Sequence, residues 1–239
     1  MRTAARQVIR AIGPLHRALS RHRGTLIHRP AYRPRAIAFL GSEYGGWTVI
    51  PELIDAGSVV YSVGVGSDIT FDRALIERFG CTVHSFDPTP MAREWIAQQD
   101  VPPEFAFHPL GLANTDEEVA FAMPLQEGWD SFSLPPEGSD EETVDCPVRR
   151  LETIASGLGH SRIDLLKMDI EGFEYGVIDD VLAGPLRPTQ WLIEFHHAMM
   201  HFVPDQTRRA VKQLETAGYR LFAVSNVGHE YSFVHESAL

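Results

Sequence analysis

The sequence predicts an α/β protein with a doubly wound, mostly parallel, Rossmann-like sheet and an antiparallel C-terminal hairpin. Three observations predict it. From Ser58 onward, short β-branched apolar runs alternate with amphipathic helical segments. Several of those runs, such as Val59-Val60-Tyr61-Ser62-Val63 and Ile163 to Met168, lack the apolar–polar alternation of a half-exposed strand, as expected of strands covered on both faces. The chain then closes on helix, strand, turn and strand, through Asn226-Val227-Gly228.

The elements follow in order. Val8, Ile9, Ile12, Leu15 and Leu19 form a helical stripe interrupted at Gly13-Pro14, and residues 21–35 read as an irregular arm. Residues 1–40 are expected to be a basic helix and arm, and residues 41–239 the folded domain. Gly41 to Trp47 reads as a glycine-rich loop before a short helix, Val49 to Leu53. The first strand, Val59 to Val63, ends at Gly64. A helix from Ile69 to Phe79 carries Phe71, Leu75, Ile76 and Phe79 on one side and stops at Gly80. Cys81 to Phe86 and Phe105 to Leu110 are strands flanking a helix, Ala92 to Gln98. Glu118 to Met123 and Thr143 to Val148 are two more, around a loop rich in Gly, Pro and Ser. Helix Leu151 to Ser156, strand Ile163 to Met168, helix Tyr175 to Leu182, strand Gln190 to Phe195 and helix Gln206 to Ala217 lead into the closing hairpin, Tyr219 to Ser225 and Tyr231 to His235.

Composition narrows the function classes. The net charge is −11, yet nine of the 21 basic residues lie in residues 1–42, which hold no acid, so the rest of the chain carries 12 basic against 32 acidic residues. An acidic body repels polyanions and argues against a nucleic-acid partner. The basic arm against an acidic body makes a homodimer a reasonable expectation. No run approaches the length of a membrane span, and the start lacks the apolar centre of a secretory signal. Cys81 and Cys146 lack metal-ligand spacing, so two buried free thiols and a cytoplasmic location are expected, with one disulfide as the alternative.

In an open α/β sheet the ligand sits beyond the carboxyl ends of the strands, so strand tips make a short list of candidates. The first tip is Gly64-Val65-Gly66-Ser67-Asp68, where glycines let backbone approach a ligand. The second ends in Phe86-Asp87-Pro88. Asp87 lies 23 residues after Gly64, near the spacing at which an acid grips the ribose hydroxyls of a nucleotide-like cofactor; capping the next helix is the plainer role. Ile69 stands where the dinucleotide fingerprint wants a third glycine, which counts against NAD. Further on, strand tips deliver Asp169, with Glu171 and Glu174 just beyond, and Glu194 followed by His196 and His197. Polar groups ending apolar strands are costly unless paired or working. The alternative for Glu171 and Glu174 is helix capping.

At these residues the chain resembles the FkbM-type methyltransferases. The matching pieces are Val60-Tyr61-Ser62-Val63-Gly64-Val65-Gly66, Phe86-Asp87-Pro88-Thr89-Pro90, Asp164 through Glu174 with its Lys-x-Asp-x-Glu-Gly-x-Glu pattern, and Trp191-Leu192-Ile193-Glu194-Phe195-His196. The resemblance runs from about Gly41 to the C-terminus. It implies the seven-stranded class I methyltransferase sheet and S-adenosylmethionine held by Ser62, Gly64, Gly66, Asp87 and Pro88, with the adenine near Pro109 to Gly111 and so at Leu110. It further implies O-methylation of a hydroxyl on a sugar, oligosaccharide or glycosylated metabolite. Ser67-Asp68 departs from the usual continuation of the first loop, and Asp68 is expected to face the donor's amino group or the acceptor.

Asp169, Glu194 and His196 are the expected catalytic trio. A poor nucleophile such as a sugar hydroxyl needs a base or a divalent cation, and carboxylate ligands favour Mg²⁺, with Mn²⁺ tolerated. The expectation is a metal on Asp169 and Glu194, with His196 as third ligand or general base. Glu43, Tyr44 and Trp47 in the glycine-rich loop, Trp129 and Ser131 in the long loop, and Glu171 are the candidate acceptor contacts. Two rivals remain: a non-catalytic cofactor-binding or assembly protein of the same fold, and a nicotinamide-dependent oxidoreductase.

Overall fold

The computed structural model describes residues 28–122, 142–196 and 204–239. The stripe at residues 8–19, most of the arm, Trp129, Ser131 and His197 lie outside the described residues.

Apolar β-branched runs build the central sheet. Its parallel strands are β3 (Val60–Val63), β4 (Val83–Phe86), β5 (Phe105–His108), β9 (Leu165–Met168) and β10 (Gln190–Glu194). The hairpin β11 (Tyr219–Val224) and β12 (Glu230–His235) completes seven strands in the order β11-β12-β10-β9-β3-β4-β5. Strand order therefore reverses between β3 and β9, the place where a ligand crevice forms. The sequence reading placed the antiparallel member at one edge. In fact β12 lies inside the sheet, antiparallel to β10 and β11, and β11 takes the edge. Inner strands cannot leave ladder groups unpaired, which suits β12: Tyr231, Phe233 and Val234 are fully buried.

Helices cover both faces. On one side, α1 (Thr70–Phe79) inserts Phe71, Leu75 and Ile76, and α2 (Pro90–Ile96) inserts Ile96, over Val60, Val83, Leu165 and Leu192. Gly80, at φ 69°, ends α1 in the left-handed conformation that only glycine adopts without cost. On the other side, α3 (Leu151–Gly157), α4 (Glu174–Ala183) and α5 (Pro204–Thr216) pack Leu151, Ile154, Val177, Ile178, Ala210, Val211 and Leu214 against Tyr61, Leu166, Trp191 and Phe233.

Two further pieces flank the crevice. Gly41 to Leu53 forms no simple loop and helix: β1 (Ala38–Leu40) pairs with β2 (Trp47–Val49) across a turn, followed by a single 3₁₀ turn at Pro51–Leu53. This hairpin straddles residue 41 and is tied to the far half of the sheet. Gln190 accepts from the Ile50 amide at 2.7 Å and donates to its carbonyl at 3.2 Å, while Ser232 Oγ donates to Thr48 O at 2.9 Å. At the other end, β6 (Gly111–Leu112), β7 (Glu117–Ala122) and β8 (Thr143–Arg149) form a separate three-stranded sheet in the order β6-β8-β7. Its Phe121, Cys146 and Val148 make a small core against Phe173. Both cysteines are free and buried. Among the described residues no helix is long and apolar enough to cross a membrane.

Candidate functional site

A cleft opens at the carboxyl edge of β3, β4, β9 and β10. Of the residues expected at a site, Tyr44, Trp47, Gly64, Gly66, Asp68, Asp87, Pro88, Asp169, Glu171 and Glu194 line it, so tips far apart in sequence converge as expected. Glu43 lines a second hollow that shares Gly46, Trp47 and Glu230 with the first. Ser62 and Leu110 are not among the cleft's lining residues. Ser62 lies within β3 beneath the tip, buried beside Asp72, and Leu110 packs into the core while its neighbours Gly111 and Leu112 reach the cleft.

The first two tips are bound to each other. Gly64 sits at φ 82° with a built Cβ only 1.8 Å from Asp169 O, so glycine alone lets β3 and β9 approach this closely. Asp87, 5% exposed, accepts from the Gly66 amide at 3.0 Å through Oδ2, and from the Thr89 amide and hydroxyl at 2.9 and 2.6 Å through Oδ1. Thr89 in turn caps α2. Burial pushes the Asp87 carboxyl up, against those hydrogen bonds. Asp68 is also engaged. Oδ1 accepts from the Thr70 amide and hydroxyl at the start of α1, and Oδ2 accepts from Ser42 Oγ at 2.7 Å, which moors the turn between β1 and β2.

The third and fourth tips carry a carboxylate–imidazole cluster. The turn after β9 places Glu171 at φ 47°, the one non-glycine residue with a left-handed backbone among those described, followed by Gly172 at φ 116°. That conformation costs about 1 kcal/mol for a residue with a Cβ, and it folds the Glu171 carboxylate back over His196. His196 Nε2 lies 3.5 Å from Asp169 Oδ1 and 3.4 Å from Glu171 Oε2, and Nδ1 lies 2.5 Å from Glu174 Oε1. His196 and Glu174 are both fully buried. Burial by itself lowers the imidazole pKa, but Glu174, Glu194 and Glu171 outweigh it and hold His196 well above its usual value. The cluster thus favours a positive charge at this point.

Asp169, Glu171 and His196 offer ligand atoms that all lie within 4.8 Å of one another. The sequence reading put Glu194 in that set. Glu194, the last residue of β10, stands across from Glu230 on β12 outside that group, and the turn delivers Glu171 to the third place. Two residues were missed. Glu174 was read as a helix cap, and it does receive the Gly172 amide, yet its carboxylate also binds His196. Lys167 sits in the motif but was given no role; it is 7% exposed, lines the cleft, and donates to Val63 O and Gly64 O at 3.0 and 2.5 Å. A lysine inside an otherwise apolar strand was the signal that could have found it.

An open sheet in this order, with a glycine turn and an acid at its first two tips, defines a Rossmann-like α/β protein whose ligand cleft lies at the switch point. The profile of the methyltransferase FkbM domain matches residues 59–221, and the chain belongs to that methyltransferase family. It is similar to the probable methyltransferase-like protein 24 of Homo sapiens, 26% identical over 173 residues that cover 68% of this chain and 41% of that protein. The chain therefore spans about two fifths of the length of that relative. Among solved structures it is similar to the methyltransferase FkbM of Methylobacillus flagellatus KT, at TM-score 0.48 and 12% identity over 76% of this chain and 44% of that one. It is also similar to the Aeropyrum pernix fibrillarin in complex with natively bound S-adenosyl-L-methionine, at TM-score 0.41 and 10% identity over 86% and 84% of the two chains.

Proposed function

We propose that this protein is an S-adenosylmethionine-dependent O-methyltransferase. Its acceptor would be a hydroxyl on a sugar, oligosaccharide or glycosylated metabolite, and Mg²⁺ or Mn²⁺ would assist. The observation that carries the reading is the charge of the cleft. Among its described lining residues six are acidic (Asp68, Asp87, Asp169, Glu171, Glu194 and Glu230) and only Lys167 is cationic. Such a wall suits a donor with a sulfonium and an ammonium, and repels the pyrophosphate of a nicotinamide dinucleotide.

The chain's residues divide the work. Asp87, anchored through Gly66 and Thr89, presents a fixed carboxylate edge to the ribose hydroxyls. The Gly64–Gly66 turn brings backbone against the methionine part. Tyr44 lines the cleft beside the buried Trp47, which also borders the second hollow, and an acceptor ring can stack there. Methyl transfer is an in-line displacement, so most of the gain comes from holding the acceptor oxygen behind the methyl carbon.

The donor set of Asp169, Glu171 and His196 fits a hard-to-borderline divalent ion, because Glu174 engages Nδ1 and leaves Nε2 directed at the two acids. A cation there would lower the pKa of the acceptor hydroxyl. Incubation with labelled S-adenosylmethionine and a panel of mono- and oligosaccharides, with and without Mg²⁺, tests the proposal. Failure of calorimetry to detect S-adenosylmethionine or S-adenosylhomocysteine sinks it. Transfer that survives exhaustive chelation removes the metal and leaves His196 or Asp169 as the base.

A further inference from the structure

We propose that Lys167 is the counterion for the donor's carboxylate, an inference that rests on the donor reading above. The argument begins with an unbalanced charge. Lys167 is 7% exposed, and no carboxylate of the described residues lies within ion-pair distance of its ammonium; its partners are two backbone carbonyls, Val63 O and Gly64 O, and the Trp47 ring at 5.8 Å. An ammonium has three N–H donors. Two go to the carbonyls, and the third is left for the cleft that Lys167 lines. A buried ammonium without an anion is costly, and neutral carbonyls repay only part of that cost. Asp72 and Asp87 feel its charge, but neither forms an ion pair with it.

The usual alternative anion site is already taken. In folds of this kind the amides at the start of the first helix attract a ligand's negative group. Here Asp68 occupies that place with its own carboxylate, bonded to the Thr70 amide at 2.8 Å and hydroxyl at 2.6 Å. A second anion brought there would meet Asp68 at close range. With six acids and one cation around the cleft, the donor's ammonium and sulfonium have many partners, and its carboxylate has one. Lys167 also touches Gly64 O, so it stands directly under the turn against which the methionine part lies.

The test is calorimetric binding of S-adenosylmethionine and of its decarboxylated analogue, which keeps the ammonium and sulfonium, to wild type and to Lys167→Met and Lys167→Gln. Wild type should bind S-adenosylmethionine at least roughly tenfold more tightly than the analogue, the value of one charge-assisted contact. Both variants should lose that preference and bind the two ligands within about twofold of each other. Equal affinities in wild type overturn the inference whether or not the variants fold. Variants that weaken both ligands alike, with the preference kept, show instead that Lys167 only braces the Gly64 turn. Wild type that binds neither ligand refutes the donor reading itself.

Discussion

Replacing Gly64 by alanine tests the contact on which the site is built. The new Cβ would lie 1.8 Å from Asp169 O, and real Cβ atoms are essentially never closer than 3.0 Å, so the tips of β3 and β9 must part by at least 1.2 Å. The obstructing atom is backbone, so no rotamer change relieves the overlap. Three hydrogen bonds cross this point: Asp169 N to Val63 O at 3.1 Å, Gly64 N to Phe86 O at 2.9 Å, and Lys167 Nζ to Gly64 O. Loss of two at about 1 kcal/mol each, with about 1–2 kcal/mol for a Cβ at φ 82°, gives a destabilisation of about 3–4 kcal/mol. For a chain of this size that is roughly a 10 °C fall in Tm. Urea unfolding and thermal melts measure it, and S-adenosylhomocysteine titration of the folded fraction should show a loss of affinity. A variant within about 1 kcal/mol of wild type that still binds the ligand would refute the reasoning, because it would mean the tips yield freely.

Three more outcomes are expected. Glu171→Gly removes the left-handed strain and also the carboxylate 3.4 Å from His196, so stability should stay within about 1 kcal/mol of wild type while Mn²⁺ binding followed by electron paramagnetic resonance is lost; Mn²⁺ binding that persists would remove Glu171 from the ligand set. Glu174→Ala strands His196 Nδ1 in a fully buried place and should cost about 3 kcal/mol, readable by urea unfolding, with Glu174→Gln costing less. The third concerns His84 and His108, whose rings stack at 5.3 Å with Nδ1 and Nε2 3.1 Å apart and His160 beside them. Burial lowers both pKa values, His84 to about 4, with His160 adding repulsion. The unfolded chain then binds protons that the folded one refuses, so stability should fall as pH drops from 6.5 toward about 4. His84→Gln should flatten that fall in a pH series of urea midpoints; an unchanged slope would exclude these histidines as its source.

Much of the fold was legible because each buried strand announces itself. Val59 to Val63, Ile163 to Met168 and Gln190 to Phe195 are apolar runs with a polar or glycine tip, and those tips are where Gly64, Asp169 and Glu194 converge. The β1–β2 hairpin was not legible, because three-residue strands carry too little periodicity and their stability comes from Gln190 and Ser232 far along the chain. The closing hairpin was read as two strands but not as an inserted one, since strand order depends on which neighbour covers Phe233 and Val234, a property of the sheet and not of the segment. Within the site, Glu171 was given to the acceptor and Glu194 to the metal. Sequence spacing fixes which strand tip a residue follows; it does not encode the positive φ that turns Glu171 back toward His196. Glu174 and Lys167 were passed over for one reason: their partners lie on other elements, His196 after β10 and the carbonyls that end β3.

The ties from Gln190 and Ser232 to the β1–β2 hairpin also order events during synthesis. Ile50 leaves the ribosome 140 residues before the side chain that holds it, and Thr48 leaves 184 residues before Ser232. At translation speeds of about 5–20 residues per second, that is a wait of roughly 7 s or more. The hairpin that carries Trp47, among the first-made walls of the cleft, is thus among the last to be fastened, and a nascent chain halted before β10 lacks both of these ties.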